Sequence, residues 1–282
     1  MSPAAGTPWS DPVATDSASS GGADAGSRID TSKPHPARIY DYFIGGKQNF
    51  PADRAVADQL VETMPVLPVL ARANRAFLGR AVRYAAQQGV KQFLDIGAGL
   101  PAAGNTHEVA QSVHPDATVV YVDNDPLVTV HGRALLADEA RTRVFEADLR
   151  DPKSILSHPD VTALIDFDQP VALLMVAVLH FVTDEADPDS LVATLTENLV
   201  PGSHLVISHA GSDLLPEDLE GMEAYQQASE GALRDHAQVS AFFDGFDLVD
   251  PGVVRLPEWR PTEELPTDIN RYWMYGGVGR KR

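Results

Sequence analysis

Residues Gln92 to Gly99, read as Gln-Phe-Leu-Asp-Ile-Gly-Ala-Gly, constrain this chain more than any other stretch. A short apolar run with one acid near its end, breaking into Gly-x-Gly, has the character of a buried parallel strand whose C-terminal end opens onto a nucleotide. Glycine belongs there because the backbone must turn sharply while a ligand comes close to it. Such turns recur by chance, so the weight of the motif rests on the next two strands and their spacing. Thr118-Val119-Val120-Tyr121-Val122-Asp123 reads as a second strand, ending on a carboxylate able to accept from two ribose hydroxyls. Thr142 to Ala147 reads as a third, followed by Asp148, placed to meet an adenine amino group. Asp95, Gly97, Ala98, Gly99, Asp123, Asn124, Asp148 and Leu149 are therefore the expected adenosine-binding set. Each acid alone could equally well cap the next helix; the ordered series is what points to a ligand.

Two cofactors compete for such a site. Gly97, Gly99 and Ala102 also satisfy Gly-x-Gly-x-x-Ala, and Asp123 stands at a distance that a dinucleotide fold accepts. Against a nicotinamide cofactor, Asp95 occupies a position where dinucleotide strands keep an apolar side chain. Pro101 and Ala102-Ala103-Gly104-Asn105 also lengthen the turn, which delays the next helix to about Thr106. A pyrophosphate needs a helix N-terminus directly after the glycines. S-adenosylmethionine has no phosphate and is the better match.

Composition narrows the partners. With 40 acidic and 22 basic residues the formal net charge is −18, which opposes a phosphate backbone as ligand. The chain has no cysteine, so disulfides, thiolate metal sites and cysteine nucleophiles are excluded. No apolar stretch is long enough to span a bilayer and the N-terminus lacks a hydrophobic signal core, so a cytoplasmic location is expected. His107-Glu108 and the acids after the third strand are too ordinary on so acidic a chain to argue for a metal, and none is expected.

Residues 1–33, rich in Ser, Ala, Gly, Asp and Pro, read as a disordered tail. Residues 34–90 read as an N-terminal arm or lid with helices over Ala52–Met64 and after Pro68, the latter presenting Leu70, Asn74, Phe77, Leu78, Ala81, Val82 and Ala85 on one face. Residues 91–282 then alternate strand and helix, as a doubly wound parallel sheet does. Val171 to Val178 is apolar throughout and suits a central strand. Leu191–Leu199 reads as a helix, Ser203–Ser208 as a fifth strand and Gln238–Phe243 as a later helix. Phe246–Val254 and Tyr272–Val278 read as a closing pair, with Trp273 and Tyr275 on a final edge. An insertion at about residues 212–236, helical over Leu214–Ala232, is expected to select the acceptor, with Met222 and Tyr225 on one face.

Together Ala37–Arg54, Leu94–Pro101, Tyr121–Pro126, Val178-Leu179-His180-Phe181 and Trp259-Arg260-Pro261 resemble an actinobacterial family of S-adenosylmethionine-dependent methyltransferases long known only as a domain of unknown function. Arg38, Tyr40, Asp41, Tyr42, Gly45, Gly46 and Lys47 carry the most specific part of that resemblance. It implies a Rossmann-like class I methyltransferase fold, α/β, with a seven-stranded, mostly parallel sheet, helices on both faces and an N-terminal helical arm. It also implies S-adenosylmethionine binding, while leaving the acceptor open.

His180 after the fourth strand and His209 after the fifth are the candidate bases, since an imidazole titrates near neutrality. Tyr40 and Lys47 are expected to join the cofactor site, with Tyr42 and Phe43 as cover; Arg38, Lys47, Arg72 or Arg75 would meet the donor's carboxylate. The segment Leu179-His180-Phe181-Val182 stands where base-methylating enzymes carry Asn-Pro-Pro-Tyr. With the charge, that favours a small-molecule acceptor attacking through oxygen or nitrogen, with no nucleic acid and no membrane. A non-catalytic S-adenosylmethionine-binding sensor or accessory protein, and a nicotinamide-dependent oxidoreductase, are the alternatives.

Overall fold

The computed structural model describes residues 30–136, 139–213 and 231–282. Five parallel strands form its centre: β1 (Gln92–Ile96), β2 (Thr118–Asp123), β3 (Thr142–Glu146), β4 (Val171–Val176) and β5 (His204–Ala210). Three further strands, β6 (Phe246–Leu248), β7 (Val254–Arg255) and β8 (Met274–Lys281), complete one sheet. Its order is β3-β2-β1-β4-β5-β8-β6, with β7 also paired to β8. The chain order reverses between β1 and β4, and in an open parallel sheet the crevice beyond the strand ends at that point is where ligands bind.

The sheet is buried on both faces because its strands alternate two apolar sets. Phe93, Val119, Tyr121, Ala172, Leu174 and Val206 belong to one core, and Leu94, Val120, Val122, Leu173, Met175 and Ile207 to the other. The first core is covered by α3 (Leu67–Gln87) and α4 (Thr106–Val113), with α1 (Pro36–Phe43) and α2 (Pro51–Thr63) packed on α3. α5 (Pro126–Leu135) follows β2 and packs against β3 and β2. The second core lies under α6 (Pro152–Leu156), α7 (Pro159–Leu164), α8 (Pro188–Thr196) and α9 (His236–Ala241). Gly89, at φ +92°, ends α3 and lets Val90 enter the core ahead of β1.

Two helices begin earlier than their apolar pattern predicts. Asp187 caps α8 by accepting from the Ser190 amide at 3.2 Å with Pro188 in the first turn, and Asp235 caps α9 by accepting from the Gln238 amide at 2.8 Å. Capping therefore outweighed periodicity at both starts.

The sheet has eight strands rather than seven. The expected strand Phe246–Val254 is divided into β6 and β7 by Asp250-Pro251-Gly252, where Pro251 has no N–H to give and Gly252 turns at φ +90°. Nor is the last strand an edge: β8 runs antiparallel between β5 and β6, and Trp273 and Tyr275 are buried. Its glycines make that possible. A Cβ on Gly276 would lie 2.8–2.9 Å from Leu256 and Phe77, and one on Gly279 would lie 2.8–2.9 Å from Phe246 and Phe243. The tail over residues 1–29 and insertion residues 214–230, Met222 and Tyr225 included, lie outside the described residues.

Candidate active site

A cavity of about 330 Å³ opens at the C-terminal ends of β1, β2 and β4. Asp95, Gly97, Ala98, Gly99, Asp123, Asn124, Asp148 and Leu149 all line it, so the sequence-predicted set converges on one place. Gly97 and Gly99 have φ of +75° and +68°. A Cβ on Gly97 would overlap the Val178 side chain, while nothing lies within 4 Å of the same position on Gly99. Only glycine fits the first position, and the second faces open space.

The acids are held by the turns that present them. Asp123 accepts from the Gly99 amide at 2.8 Å and from the Asp125 amide at 2.9 Å, one bond to each carboxylate oxygen. Each oxygen retains a lone pair, as two ribose hydroxyls require. Burial raises the Asp123 pKa, opposed by those two amides. Asp95 accepts from the Thr106 hydroxyl at 2.6 Å, and burial pushes its pKa up to about 6 against the pull of Thr106 and Arg75. Asp148 is gripped by Arg150, with contacts of 2.6–3.1 Å from the guanidinium, and stays well ionised. These acceptors suit an adenosine carrying a cationic amino-acid arm.

The histidines separate. His180 lines the cavity, is buried, and has an Nδ1 without a hydrogen-bond partner. Its pKa is held well below 6.5, first by burial and then by the neighbouring His209 and Arg234. His209 is not among the lining residues. Its Nε2 lies 2.9 Å from Arg234, and because a guanidinium can only donate, that nitrogen accepts. Its Nδ1 therefore carries the proton and donates to the Ala210 carbonyl at 2.8 Å, leaving no lone pair for a substrate proton.

The arm supplies Tyr40 and Phe43 to the cavity wall, together with His35. The Tyr40 hydroxyl is committed elsewhere, donating to the Ala71 carbonyl at 2.9 Å and accepting from Asn74 at 3.0 Å; burial pushes its pKa up to about 12. Lys47 is exposed and not among the lining residues. Arg38 is buried, 3.1 Å from Asp125 and 3.8 Å from Asp53, so it ties the arm to the loop after β2 instead of facing the cavity. Gly45-Gly46 forms a tight turn over Asp41, whose carboxylate occupies the space a Gly46 Cβ would need. Arg72 reaches the Phe43 carbonyl at 3.5 Å, and Arg75 lines the cavity beside Asp95.

Sequence reasoning missed Ala177, Ser208, Arg234, Trp273 and Met274 here. The one available signal was Asn74, a polar side chain in the middle of the apolar stripe of α3, which is where an internal network shows in a sequence. Among the described residues no group of three or more His, Cys, Asp or Glu is arranged to hold a metal ion, and no helix is long and apolar enough to cross a membrane.

The sheet order, the glycine turn and three acids at successive strand ends define a class I S-adenosylmethionine-dependent methyltransferase. A family model described as S-adenosyl methyltransferase matches residues 22–282, and the chain belongs to that family. A crystal structure of a candidate methyltransferase from Thermobifida fusca YX is 44% identical, with 90% of this chain and 97% of that one covered and a TM-score of 0.86. A DUF574 family protein from Streptomyces avermitilis MA-4680 is also 44% identical, over 90% of this chain and 100% of its own, with a TM-score of 0.86. No curated protein matches the chain. Membership makes S-adenosylmethionine the methyl donor and sets aside the nicotinamide alternative.

Proposed function

We propose that this methyltransferase acts on a small, uncharged acceptor through oxygen or nitrogen, and that His180 takes the acceptor's proton. The observation that carries the reading is His180 itself: buried, on the cavity wall at the exit of β4, and kept neutral. A neutral imidazole offers a lone pair, and its low pKa keeps that lone pair free across the physiological range. Beside the three acids, Asn74, Arg75 and His180, a large part of the described lining is apolar, with Phe43, Leu60, Leu67, Leu70, Trp273 and Met274. Such a wall favours an uncharged, largely apolar molecule.

S-adenosylmethionine supplies an electrophilic methyl group on a sulfonium. When it is bound, Asp123 would hold the ribose, Asp148 would meet the adenine edge, Asp95 would balance the ammonium and Arg75 the carboxylate, while Tyr40 and Phe43 would shut water out over them. With the donor already activated, alignment carries much of the rate. The acceptor's oxygen or nitrogen would gain the methyl group that the sulfonium gives up, and His180 would take the proton the acceptor loses.

Native mass spectrometry against a metabolite panel, followed by transfer of a radiolabelled methyl group, identifies the acceptor. With it in hand, His180→Ala lowers kcat by about 10²-fold or more while S-adenosylhomocysteine affinity by calorimetry stays within a few-fold. Because the His180 pKa is depressed, wild-type kcat should hold as pH falls to 6.5 and decline only well below it. A folded His180→Ala protein with wild-type turnover rules out the proton-acceptor role.

A further inference from the structure

One hydrogen-bonded chain crosses the molecule from the arm to the exit of β4. The Ala177 amide donates to the Ser208 hydroxyl at 2.9 Å, and the Ser208 hydroxyl donates to Asn74 Oδ1 at 2.6 Å. The Asn74 side-chain amide donates to the Tyr40 hydroxyl at 3.0 Å, which donates in turn to the Ala71 carbonyl at 2.9 Å. The directions are mutually fixed. Ser208 Oγ accepts from a backbone amide, so its own hydrogen must go to the Asn74 oxygen; the nitrogen of Asn74 is then the group left to face Tyr40. No polar atom of the chain is left unmatched, and Asn74 and Ser208 are buried.

The far end of this chain is a strained residue. Ala177 has φ +55°, a left-handed conformation that a residue with a Cβ keeps only where its surroundings hold it there. It lies on the cavity wall, one residue past β4 and three before His180. Its amide also reaches the Ser208 carbonyl at 3.1 Å, so β5 grips it through both backbone and side chain. At the near end, Tyr40 belongs to the arm, which is also anchored by the Arg38–Asp125 pair beside the ribose acid.

We propose that Tyr40, Asn74 and Ser208 form a positioning relay through which docking of the arm sets the backbone at Ala177, the segment of wall that carries His180 toward the transferred methyl group. None of the three touches the proton being moved; they act through Ala177. Bonds in such a chain polarise one another, so loss of the arm's end weakens the far end. The importance of Ala177 rests on the function proposed above, but the relay exists independently of it. Its test therefore uses the full chain without donor or acceptor.

Amide exchange at Ala177, followed by NMR, reads the relay directly. Ser208→Ala should speed exchange at Ala177 by about three- to tenfold, the worth of one hydrogen bond. Ser208→Thr, which keeps the hydroxyl, should restore protection. The decisive variant is Tyr40→Phe, three bonds away, which should speed Ala177 exchange by at least about twofold. Tyr42→Phe serves as the control: it removes a hydroxyl from the same helix that bonds only the exposed Asp58 side chain, and should leave Ala177 unchanged. Wild-type exchange at Ala177 in folded Tyr40→Phe overturns the proposal, as does an equal effect from Tyr42→Phe. Neither result bears on whether His180 accepts a proton, which turnover tests separately.

Discussion

Asp95 carries a conflict between stability and binding. Its carboxyl is buried with a raised pKa of about 6, so the fold favours the neutral form. A group shifted upward stabilises the fold below its unfolded pKa of 3.8 and loses that contribution as pH rises through about 6, so at neutral pH the buried charge weakens the cofactor-free protein. Asp95→Asn keeps an oxygen for Thr106 and removes the charge. It should raise the melting temperature of the free protein, gaining on the order of 3 kcal/mol, the scale set by the pKa shift. The same change should weaken S-adenosylmethionine by about tenfold or more, since a charge-assisted hydrogen bond is lost. In the wild type, affinity should fall by up to about tenfold per unit as pH drops below 6. Calorimetry finding the same affinity at pH 7 and pH 5 would detach Asp95 from the donor's ammonium. The residue's presence at the site was legible from the glycine turn after it; its protonation behaviour was not, because that depends on the shell closed around it by α3 and α4.

Among the elements, β8 is the one the sequence leaves furthest from its place. The stretch Tyr272–Val278, with Trp273, Tyr275 and two glycines, reads as an edge, yet β8, which adds Gly279, is clasped between β5 and β6. The glycines are the reason: Phe77 of α3 and Phe243 beyond α9 close on the strand from opposite cores, and side chains at 276, 277 and 279 would keep them away. Gly276→Ala should therefore cost about 1–3 kcal/mol through overpacking, seen as a fall of several degrees in melting temperature. Phe77→Leu in the same chain should recover part of the loss, since the added methyl group meets the Phe77 ring. A Gly276→Ala protein as stable as the wild type would mean that α3 moves aside freely. By contrast β1, β2 and α4 begin where the sequence places them, because a glycine turn, a β-branched run and the lengthened turn over Pro101–Asn105 each act locally.

For the molecule as a whole, the expected selector of the acceptor is the insertion. The described residues on either side of 214–230 meet at the exit of β4: Gly211 bridges Arg234, and the Ala232 amide donates to the His180 carbonyl at 2.8 Å. Arg234, buried, holds the same place by donating to the Leu179 and Val182 carbonyls and pairing with Asp184 at 2.6 Å. Both flanks of the insertion are thus fixed around the exit of β4. Replacing 214–230 with a short Gly/Ser linker should preserve melting temperature and S-adenosylhomocysteine affinity while abolishing transfer to the native acceptor. Transfer at the wild-type rate would move specificity to Tyr40 and Phe43.

Local patterns along the chain were enough to reveal the alternation of strand and helix, the methyl donor and a set of strand-end residues that line one cavity. An apolar run, a turn only glycine can make and an acid at each strand end carry that information without help from distant residues. Folding alone settled which side chains remain available for chemistry. His209 and His180 look alike as strand-end histidines, but Arg234, 25 residues beyond His209, consumes the lone pair of one and leaves the other free. Arg38 and Lys47 look like ligands for a carboxylate, yet one is spent on Asp125 and the other stays in solvent. Tyr40 reads as a cofactor contact, and its hydroxyl instead joins a chain ending at Ala177. The physical reason is common to all of them. Hydrogen-bond capacity is a property of the residue, but whether it is already satisfied depends on partners that only the folded chain brings within about 3 Å.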